Sequence, residues 1–344
     1  MNFPKISIVI PSYNQGQFLE ETILSVVNQQ YPNLELFVVD GASKDNSVDT
    51  IKKYESRITW WVSENDNGQS EAINKGFAKA TGDIISWLGS DDLLMPGSLQ
   101  IISSAFISAP VQIGLIHGGA IVFNGAEINK TMFTYQHPIK EAYLSGMVFP
   151  QPAAFFRKGF AEKVGYIDEK LHYGMDYDFF QRLALVCDFL PIDNVLAKYR
   201  LHQQSKSVSE NTRFISDWKR SFVNLCKNLG WTNEIEYLDK TGFFKDELSY
   251  FKPYLFQPDT MILPGLNKRR ALFYHLGHIL KDLYWNYDVH QAKELRTIMK
   301  ADFENRWWDE DLRLNTIAAK LNYPDFVLKG LRFLRLLFSK GNAT

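Results

Sequence analysis

The chain has 344 residues, of which 45% are hydrophobic and 22% charged, and its formal net charge at pH 7 is −1. This composition excludes a disordered, collagen-like or coiled-coil protein, and the near-neutral charge gives no support to a general nucleic-acid-binding function. The charge is uneven, because residues 1–204 hold 16 Lys and Arg against 22 Asp and Glu, a net charge of −6, whereas residues 205–344 hold 22 against 17, a net charge of +5.

Redox and targeting features favour a cytoplasmic protein. The two cysteines, Cys187 and Cys226, form neither a CxxC pair nor a disulfide framework, as expected in a reducing compartment. The first residues lead directly into a strand-like run without the apolar stretch of a signal peptide, and no run of about 18 apolar residues is present to span a bilayer.

Short strands and helices alternate over the first 90 residues. The hydrophobic pattern predicts strands at residues 6–10, 34–39, 58–62 and 84–88. It predicts helices at residues 17–29, 47–54 and 71–80. We expect the first strand to stop at Pro11. The alternation is typical of βαβ units with a parallel sheet covered on both faces, and such sheets bind ligands beyond the carboxyl ends of their strands.

The rest of the chain is mixed and then becomes helical. We predict a helix at residues 98–108, strands at 113–117, 120–123 and 153–156, and a helix from about residue 174 to 186. Amphipathic helical stretches dominate beyond about residue 205. The sequence thus predicts an α/β domain at residues 1–205 and a helical C-terminal region at 206–344. Within the first domain, the predicted halves are about 1–95 and 96–205.

Two adjacent acidic residues follow the fourth predicted strand. Asp91 and Asp92 come directly after Ser90 at the end of this apolar run. Paired carboxylates at such a point can coordinate a hard divalent cation, Mg²⁺ or Mn²⁺, with a third carboxylate or a diphosphate completing the shell. From these residues alone, the alternative is that one of them caps the following helix.

Acidic residues also follow the second and third predicted strands. Asp40 could accept a hydrogen bond from a ribose or a base, or it could belong to a glycine turn in which Ser43 or Asp45 caps the next helix. Asp66 lies in a polar loop that enters a helix. It could contact a base or a ribose, or the loop could serve only to cap the helix.

Further candidates lie near the predicted boundary. Asp176 and Asp178 open a helix, where a carboxylate could take a proton from an attacking hydroxyl or could only complement the helix dipole. His202 could ligate a metal or contact a phosphate, or it could be an ordinary core or surface histidine. The sequence has no phosphate-binding loop, dinucleotide fingerprint, nucleophile elbow or zinc motif.

The order of these motifs is more specific than any one of them. They are Pro11-Ser12-Tyr13-Asn14, Asp40, residues 66–76, Thr81-Gly82-Asp83, Ser90-Asp91-Asp92 and residues 174–178. In this order they resemble the family 2 inverting nucleotide-sugar glycosyltransferases, over about residues 4–205. The resemblance implies the GT-A fold, a Rossmann-like, mainly parallel mixed sheet flanked by helices, here with a helical C-terminal extension.

The resemblance also implies a role for each motif. It implies transfer of one sugar from a nucleoside-diphosphate donor, with a UDP-sugar favoured, to an acceptor hydroxyl, with inversion and a divalent cation (Mn²⁺ or Mg²⁺). Asp91 and Asp92 match the metal and diphosphate motif, with Asp92 the more direct ligand and His202 a further candidate. Asp176 matches the catalytic base. Four residues match positions that line the nucleotide pocket: Pro11, Tyr13, Asp40 and Asp66.

The sequence departs from the family pattern at three positions. Gly41 stands where the family commonly has a second acidic residue. We therefore expect nucleotide binding to depend more on Asp40 and Asp66. Met175 replaces the glutamate that precedes the catalytic aspartate, which puts acceptor contacts in doubt. Ser90 replaces the first acid of an Asp-x-Asp motif, so we expect a modest metal affinity.

The C-terminal region lies outside the resemblance. Residues 326–340 form an apolar helix candidate with interspersed lysines and arginines. This helix could lie on an anionic membrane surface near a lipid-linked acceptor, or its apolar side could pack on the catalytic domain or a partner subunit. Trp307 and Trp308 could likewise belong to an interfacial belt or to a plain core.

The leading hypothesis is a metal-dependent inverting hexosyltransferase that acts in bacterial cell-envelope polysaccharide, O-antigen, capsule or glycolipid assembly. Its acceptor would be a saccharide or a lipid-linked saccharide, with no nucleic-acid partner, and it would work at the inner face of the cytoplasmic membrane. One alternative is a catalytically silent nucleotide-sugar-binding protein. Another is a sugar-phosphate nucleotidyltransferase, although the sequence lacks a glycine-rich, lysine-bearing phosphate loop near its N-terminus.

Overall fold

The computed structural model describes residues 3–125, 127–132, 139–203, 205–206, 211–286 and 288–328. Its strands are β1 (Ile6–Ser12), β2 (Leu34–Asp40), β3 (Trp60–Ser63), β4 (Ile84–Trp87), β5 (Leu93–Leu94), β6 (Ile113–Asn124), β7 (Glu127–Met132), β8 (Ala154–Arg157) and β9 (Asp188–Arg200). They form one sheet in the order β3-β2-β1-β4-β8-β6-β9-β5, and β7 pairs with β6.

Helices cover both faces of the sheet and make up most of the C-terminal part. Those before residue 205 are α1 (Gly16–Val27), α2 (Ser47–Lys53), α3 (Gln69–Lys79), α4 (Ser98–Ser108), α5 (Lys140–Ser145), α6 (Lys158–Val164) and α7 (Met175–Ala184). Those after it are α8 (Asn211–Asn228), α9 (Thr232–Thr241), α10 (Lys268–Trp285), α11 (Val289–Asp302), α12 (Asn305–Glu310) and α13 (Leu312–Lys320).

The first four strands form the predicted parallel sheet. β1 is parallel to β2 and β4, and β2 is parallel to β3, so the loops that follow all four strands meet at one edge. The prediction that Pro11 stops β1 is wrong, because the strand continues to Ser12 with Pro11 opposite Val39. The pairing of β1 with β4 ends at Val9, so at Pro11 the strand has a neighbour on one side only and the missing N–H costs no ladder bond there.

The second half of the sheet differs from the prediction. The strands predicted at 113–117 and 120–123 are one strand, β6, which runs through the pair Gly118-Gly119. A side chain at Gly118 would meet the Asn194 carbonyl oxygen of β9 at 2.4 Å, so glycine permits this close pairing. The 13-residue β9 was not predicted, nor were β5 and β7.

The hydrophobic core extends across the predicted boundary at residue 205. One continuous cluster contains Phe156 and Phe180 from the α/β part together with Phe222 and Trp308 from the C-terminal helices. Trp307 and Trp308 are both buried, which agrees with the core alternative. Of the helix candidate at 326–340, only residues 326–328 lie within the described part. No helix among the described residues is long and apolar enough to cross a membrane.

Candidate active site

A cavity of about 780 Å³ opens where the loops after β1, β2, β3 and β4 meet. Six of the residues predicted for the site line it: Pro11, Tyr13, Asp66, Asp91, Asp92 and Asp176. Asp40 and His202 do not line it. Ligand sites at the carboxyl edge of a parallel sheet are expected on general grounds, because the loops and their polar groups converge there.

Gly41 shapes the wall of the cavity beside Tyr13 and Asp66. A Cβ at Gly41 would lie 3.0 Å from Asp66 Oδ2 and 3.2 Å from Tyr13 Cδ2. The family pattern commonly has a second acid at position 41. In this protein the side chains of Tyr13 and Asp66 fill the space that a side chain at that position would need. Asp66 accepts a hydrogen bond from the Gly68 N–H (2.9 Å), and burial raises the pKa of this carboxyl group.

Asp40 lies behind this wall. Its side chain is fully buried, and it accepts hydrogen bonds from the Ser43 N–H (2.9 Å), the Ser43 hydroxyl (2.5 Å) and the Ser63 hydroxyl (2.6 Å). Ser43 Oγ in turn accepts from the Asn14 N–H at 2.8 Å. The carboxylate thus ties together the loops that follow β1, β2 and β3, and it holds the shape of the cavity edge.

Asp91 and Asp92 point toward each other over Gly89. A Cβ at Gly89 would lie 2.9 Å from Asp91 Oδ1 and 3.0 Å from Asp92 Oδ2, so the two carboxylates converge on a space that a side chain would fill. Burial and the negative charge of Asp91 raise the pKa of Asp92 well above its usual range. Two such oxygens fit the hard donor set of Mg²⁺ or Mn²⁺. No group of three His, Cys, Asp or Glu side chains suited to a metal occurs among the described residues.

Arg200, at the end of β9, was missed by the sequence analysis. Its backbone N–H donates to Asp92 Oδ1 (2.9 Å), and its Nε donates to the Asp91 carbonyl oxygen (2.8 Å). The guanidinium lies over the rings of Phe18 and Phe123, at 4.7 and 4.4 Å from their centroids. Arg200 therefore fixes the backbone of one acidic residue and the carboxylate of the other.

His202 contacts Asp91 from outside the cavity lining. Its Nε2 lies 2.9 Å from Asp91 Oδ2, and its ring packs on Phe18 with centroids 4.6 Å apart. The nitrogen that contacts Asp91 is thereby engaged with a carboxylate. In this geometry His202 orients Asp91, the arrangement by which outer residues commonly orient metal-binding carboxylates.

Asp176 lies in the first turn of α7. Its Oδ1 accepts the Tyr177 N–H at 2.8 Å, while Oδ2 receives no hydrogen bond from the described residues. Burial raises the pKa of Asp176 to about 6, although this hydrogen bond and the positive charge of Lys206 act in the opposite direction. The neighbouring Asp178 is instead paired with Arg182 at 2.7 Å, away from the cavity.

Of the further residues that line the cavity, Met175 belongs to the motif at residues 174–178, whereas Lys206 and Phe214 lie outside every motif. Met175, which replaces the family glutamate, lines the cavity and contacts the Ser70 hydroxyl. Lys206 donates to Gln69 Oε1 (3.1 Å), and Phe214 is the contribution of α8 to the wall. The C-terminal region therefore supplies part of the site.

The family comparison agrees with this geometry. Residues 7–165 match the family model of glycosyl transferase family 2. The chain carries a family 2 glycosyltransferase domain. The matched segment contains the loops after β1 to β4, with Asp66, Asp91 and Asp92, and it ends before α7. Asp176 and the C-terminal part of this glycosyltransferase lie beyond the matched segment.

The glycosyltransferase has bacterial relatives of similar sequence. It is 28% identical over 270 residues to an uncharacterized glycosyltransferase of Rickettsia typhi, covering 72% of this chain and 80% of that protein. It is 27% identical to one of Rickettsia felis, covering 74% of this chain but only 41% of that protein, and 26% identical to one of Mycobacterium tuberculosis, covering 64% and 86%.

Solved structures show the same fold. Staphylococcus aureus TarS (residues 1–349), in complex with UDP-GlcNAc, superposes with a TM-score of 0.55 at 16% identity, over 86% of this chain and 91% of that one. The mannosyltransferase PcManGT of Pyrobaculum calidifontis, in complex with GDP-Man and Mn²⁺, gives a TM-score of 0.52 at 16% identity, over 94% and 82%. The family 2 glycosyltransferase described here therefore has the GT-A fold.

Proposed function

We propose that this glycosyltransferase moves a sugar from a nucleoside-diphosphate donor to an acceptor hydroxyl with inversion at the anomeric carbon. This proposal is supported by a single cavity that brings together three sets of side chains with different chemistry. The exposed Tyr13 and the half-buried Asp66 form a wall suited to a base and ribose. Asp91 and Asp92 present paired carboxylates suited to a cation and a diphosphate. Asp176 presents one carboxylate oxygen that accepts no hydrogen bond within the described ranges.

Asp176 acts as the general base in this proposal. The acceptor oxygen attacks the anomeric carbon as the bond to the diphosphate breaks, and the hydroxyl proton passes to Asp176 Oδ2. A carboxylate with a pKa of about 6 is a stronger base than an exposed aspartate and is still ionised at neutral pH. Inversion follows from a single displacement, so no covalent intermediate on the protein is needed.

Asp91 and Asp92 would hold the divalent cation, Mn²⁺ or Mg²⁺. A cation bound there offsets the negative charge that develops on the departing diphosphate. Arg200 and His202 contribute by keeping the two carboxylates oriented toward the same space. With two protein carboxylates, the remaining ligands would come from the diphosphate and water, as is usual for Mg²⁺.

The donor, acceptor and location remain parts of this proposal. We favour a UDP-sugar donor, and the structural relatives that bind UDP-GlcNAc and GDP-Man support a nucleotide sugar in general. The acceptor would be a saccharide or lipid-linked saccharide of a bacterial envelope polysaccharide, reached from the inner face of the cytoplasmic membrane. Residues 326–340, most of which lie outside the described part, would make the membrane contact.

A thermal-shift screen of UDP- and GDP-sugars tests donor binding. We expect one donor to raise the Tm of the full chain more strongly with Mn²⁺ than with EDTA, because a ligand of the native state stabilises it by mass action. Asp92→Ala should lose the Mn²⁺-dependent part of the shift, whereas Asp246→Ala, a surface control, should keep it. An undiminished Mn²⁺ effect in Asp92→Ala would contradict the ligand assignment.

Substitution of the proposed base separates transfer from binding. Asp176→Asn should reduce transfer of the donor found in the screen by roughly 100-fold or more, with the donor Kd within about twofold, because the amide cannot accept the proton. Normal turnover by Asp176→Asn would refute the base assignment. Donor binding by the wild type without any transfer or hydrolysis would favour a catalytically silent binding protein.

A further inference from the structure

We propose that Asp217 of α8 is a positioning residue that holds the base Asp176 in its reactive place. Asp217 lies beyond the segment that matches family 2 and beyond the predicted catalytic domain at 1–205. The inference rests on the proposed role of Asp176. It makes the C-terminal helical region a structural part of the catalytic centre.

One carboxylate oxygen of Asp217 holds the loop that leads into α7. Asp217 Oδ2 accepts the N–H of Tyr173 at 3.0 Å and the N–H of Gly174 at 3.1 Å. Gly174 is the N-terminal capping residue of α7, and Asp176 is the second residue of that helix. The Asp217 side chain is 9% exposed, so these charge-assisted bonds are shielded from water.

The two helices also pack closely at this point. A Cβ at Gly174 would lie 2.7 Å from Asp217 Cβ and 3.1 Å from Trp218 Cδ1, so a side chain there would push α8 away. The Trp218 ring packs edge-on against Tyr177, with ring centroids 5.8 Å apart. Two consecutive residues of α8 therefore hold the first turn of α7 from outside.

This support matters because α7 lacks a side-chain cap of its own at Gly174. Asp176 uses one oxygen to bind the Tyr177 N–H, and its other oxygen must reach the acceptor hydroxyl within hydrogen-bond distance. A displacement of about 1 Å can lower a rate by roughly 100-fold. Loss of the bonds from Asp217 should therefore lower the rate of transfer while leaving the donor side of the cavity unchanged.

The test compares three variants of the full chain: Asp217→Ala, Asp217→Asn and Asp311→Ala. Asp311 is a matched control, because it is also a buried carboxylate of the C-terminal region that caps a helix, accepting the Leu314 N–H at 2.8 Å. Melting temperature, amide hydrogen exchange of residues 171–178, donor Kd and kcat are measured for each variant. The exchange measurement requires no donor.

We expect Asp217→Ala to speed exchange at residues 173–177 by at least about tenfold and to lower kcat by roughly 10- to 100-fold, with donor Kd within about twofold. Asp217→Asn, which keeps an acceptor oxygen, should retain most of the wild-type protection from exchange at residues 173–177 and most of the wild-type kcat. Asp311→Ala should lower the melting temperature but change neither exchange at 171–178 nor kcat. If Asp217→Ala does not fold, Gly174→Ala supplies the same displacement from the other side of the contact.

The outcomes distinguish this inference from the proposed function. Unchanged exchange at 173–177 in Asp217→Ala, or a kcat equal to that of the wild type, would overturn the positioning role. A kcat loss of equal size in Asp311→Ala would also overturn it, because the effect would then be one of general stability. An active Asp176→Asn would refute the base assignment itself, whatever Asp217→Ala does.

Discussion

At the scale of single residues, the hydrogen-bond and ion-pair partners of each carboxylate decide whether it is available for chemistry in this protein. Asp176 lines the cavity and keeps one oxygen that receives no hydrogen bond from the described part of the chain, whereas Asp40 and Asp178 are engaged by internal partners. The same residue type thus presents an available oxygen to the cavity in one place and is a structural acceptor or ion-pair partner in another, because its neighbours differ.

The raised pKa of Asp176 predicts the pH dependence of transfer. Burial raises this pKa to about 6, and the base must be unprotonated to accept the acceptor proton. We expect kcat/KM to be level above about pH 7 and to fall roughly tenfold per pH unit below pH 6. The profile between pH 4.5 and 8.5 measures this, and an acidic limb centred near pH 4, the range of an exposed aspartate, would contradict it.

The contacts of Arg200 predict that its substitution changes the Mn²⁺ dependence of transfer, although the proposed mechanism gives Arg200 no contact with the substrate. A lysine has no Nε donor for the Asp91 carbonyl oxygen and no planar group to stack on the rings of Phe18 and Phe123. We expect Arg200→Lys to raise the Mn²⁺ concentration for half-maximal activity by roughly 10- to 100-fold. A Mn²⁺ titration of the transfer rate measures it.

Arg157→Lys is a matched control for that substitution. Arg157 also donates from Nε to a backbone carbonyl, that of Ile113 (3.0 Å), and lies over the Phe106 ring (5.0 Å), but it is absent from the cavity lining. Its replacement should leave the Mn²⁺ dependence unchanged. An equal shift in both variants would show that Arg200 acts only through general stability.

At the scale of secondary-structure elements, one partly buried glutamate ties the amino end of the parallel sheet together. Glu35 of β2 accepts hydrogen bonds from Ser7 of β1 (2.7 Å) and from the Thr81 N–H (2.9 Å) just before β4. Partial burial alone would raise the pKa of Glu35, yet these bonds and a bond from Lys5 lower it from 4.5 to about 2. The ionised carboxylate therefore stabilises the native state.

Glu35→Gln should reduce the free energy of unfolding by about 1–3 kcal/mol at pH 7. Because the folded-state pKa lies below that of the unfolded chain, the contribution is complete above about pH 4.5 and is lost as the pH falls toward 2. Denaturant unfolding at pH 7 and at low pH measures the difference. Glu236→Gln, at an exposed position, should change little, and a difference for Glu35→Gln that grows toward low pH would contradict the assignment.

At the scale of the whole molecule, the opposite charges of the two halves do not correspond to separate cores. The continuous cluster that contains Phe180 and Trp308 joins the sheet side to the C-terminal helices, and α8 contributes Phe214 to the cavity. The division into an α/β domain at residues 1–205 and a helical region at 206–344 stays a prediction. For folding, the shared core predicts one cooperative unit.

Trp308→Ala tests this cooperativity. Trp308 is 1% exposed, and removal of a buried aromatic side chain costs about 3–5 kcal/mol. We expect a single calorimetric transition, shifted as a whole to lower temperature. Phe326→Ala, at a side chain that is 75% exposed, should shift it little. Two transitions, of which only one moves, would show that the C-terminal region unfolds independently.

Strands β1 to β4 and helix α4 could be predicted from the sequence because each is a continuous apolar or periodic run. β9 could not, since Pro191 and the pair Asp193-Asn194 interrupt its apolar pattern, and its place is determined by long-range pairing with β6. Local sequence patterns were limited in the same way in predicting the residues of the site. Asp91 and Asp176 stand in recognisable motifs, but only the fold brings Arg200 to Asp91 and Asp217 to the turn that precedes Asp176.

The sequence by itself determined the chemistry available, because the type and order of side chains establish which groups can bind a cation, a ribose or a proton. It also determined the parallel sheet that brings the strand ends to one edge. Only the tertiary structure decided which carboxylates face the cavity. Asp91, Asp92 and Asp176 face it, whereas Asp40 is turned inward. The physical reason is that solvation and hydrogen bonding of a side chain depend on residues far away in the chain, which a local pattern does not contain.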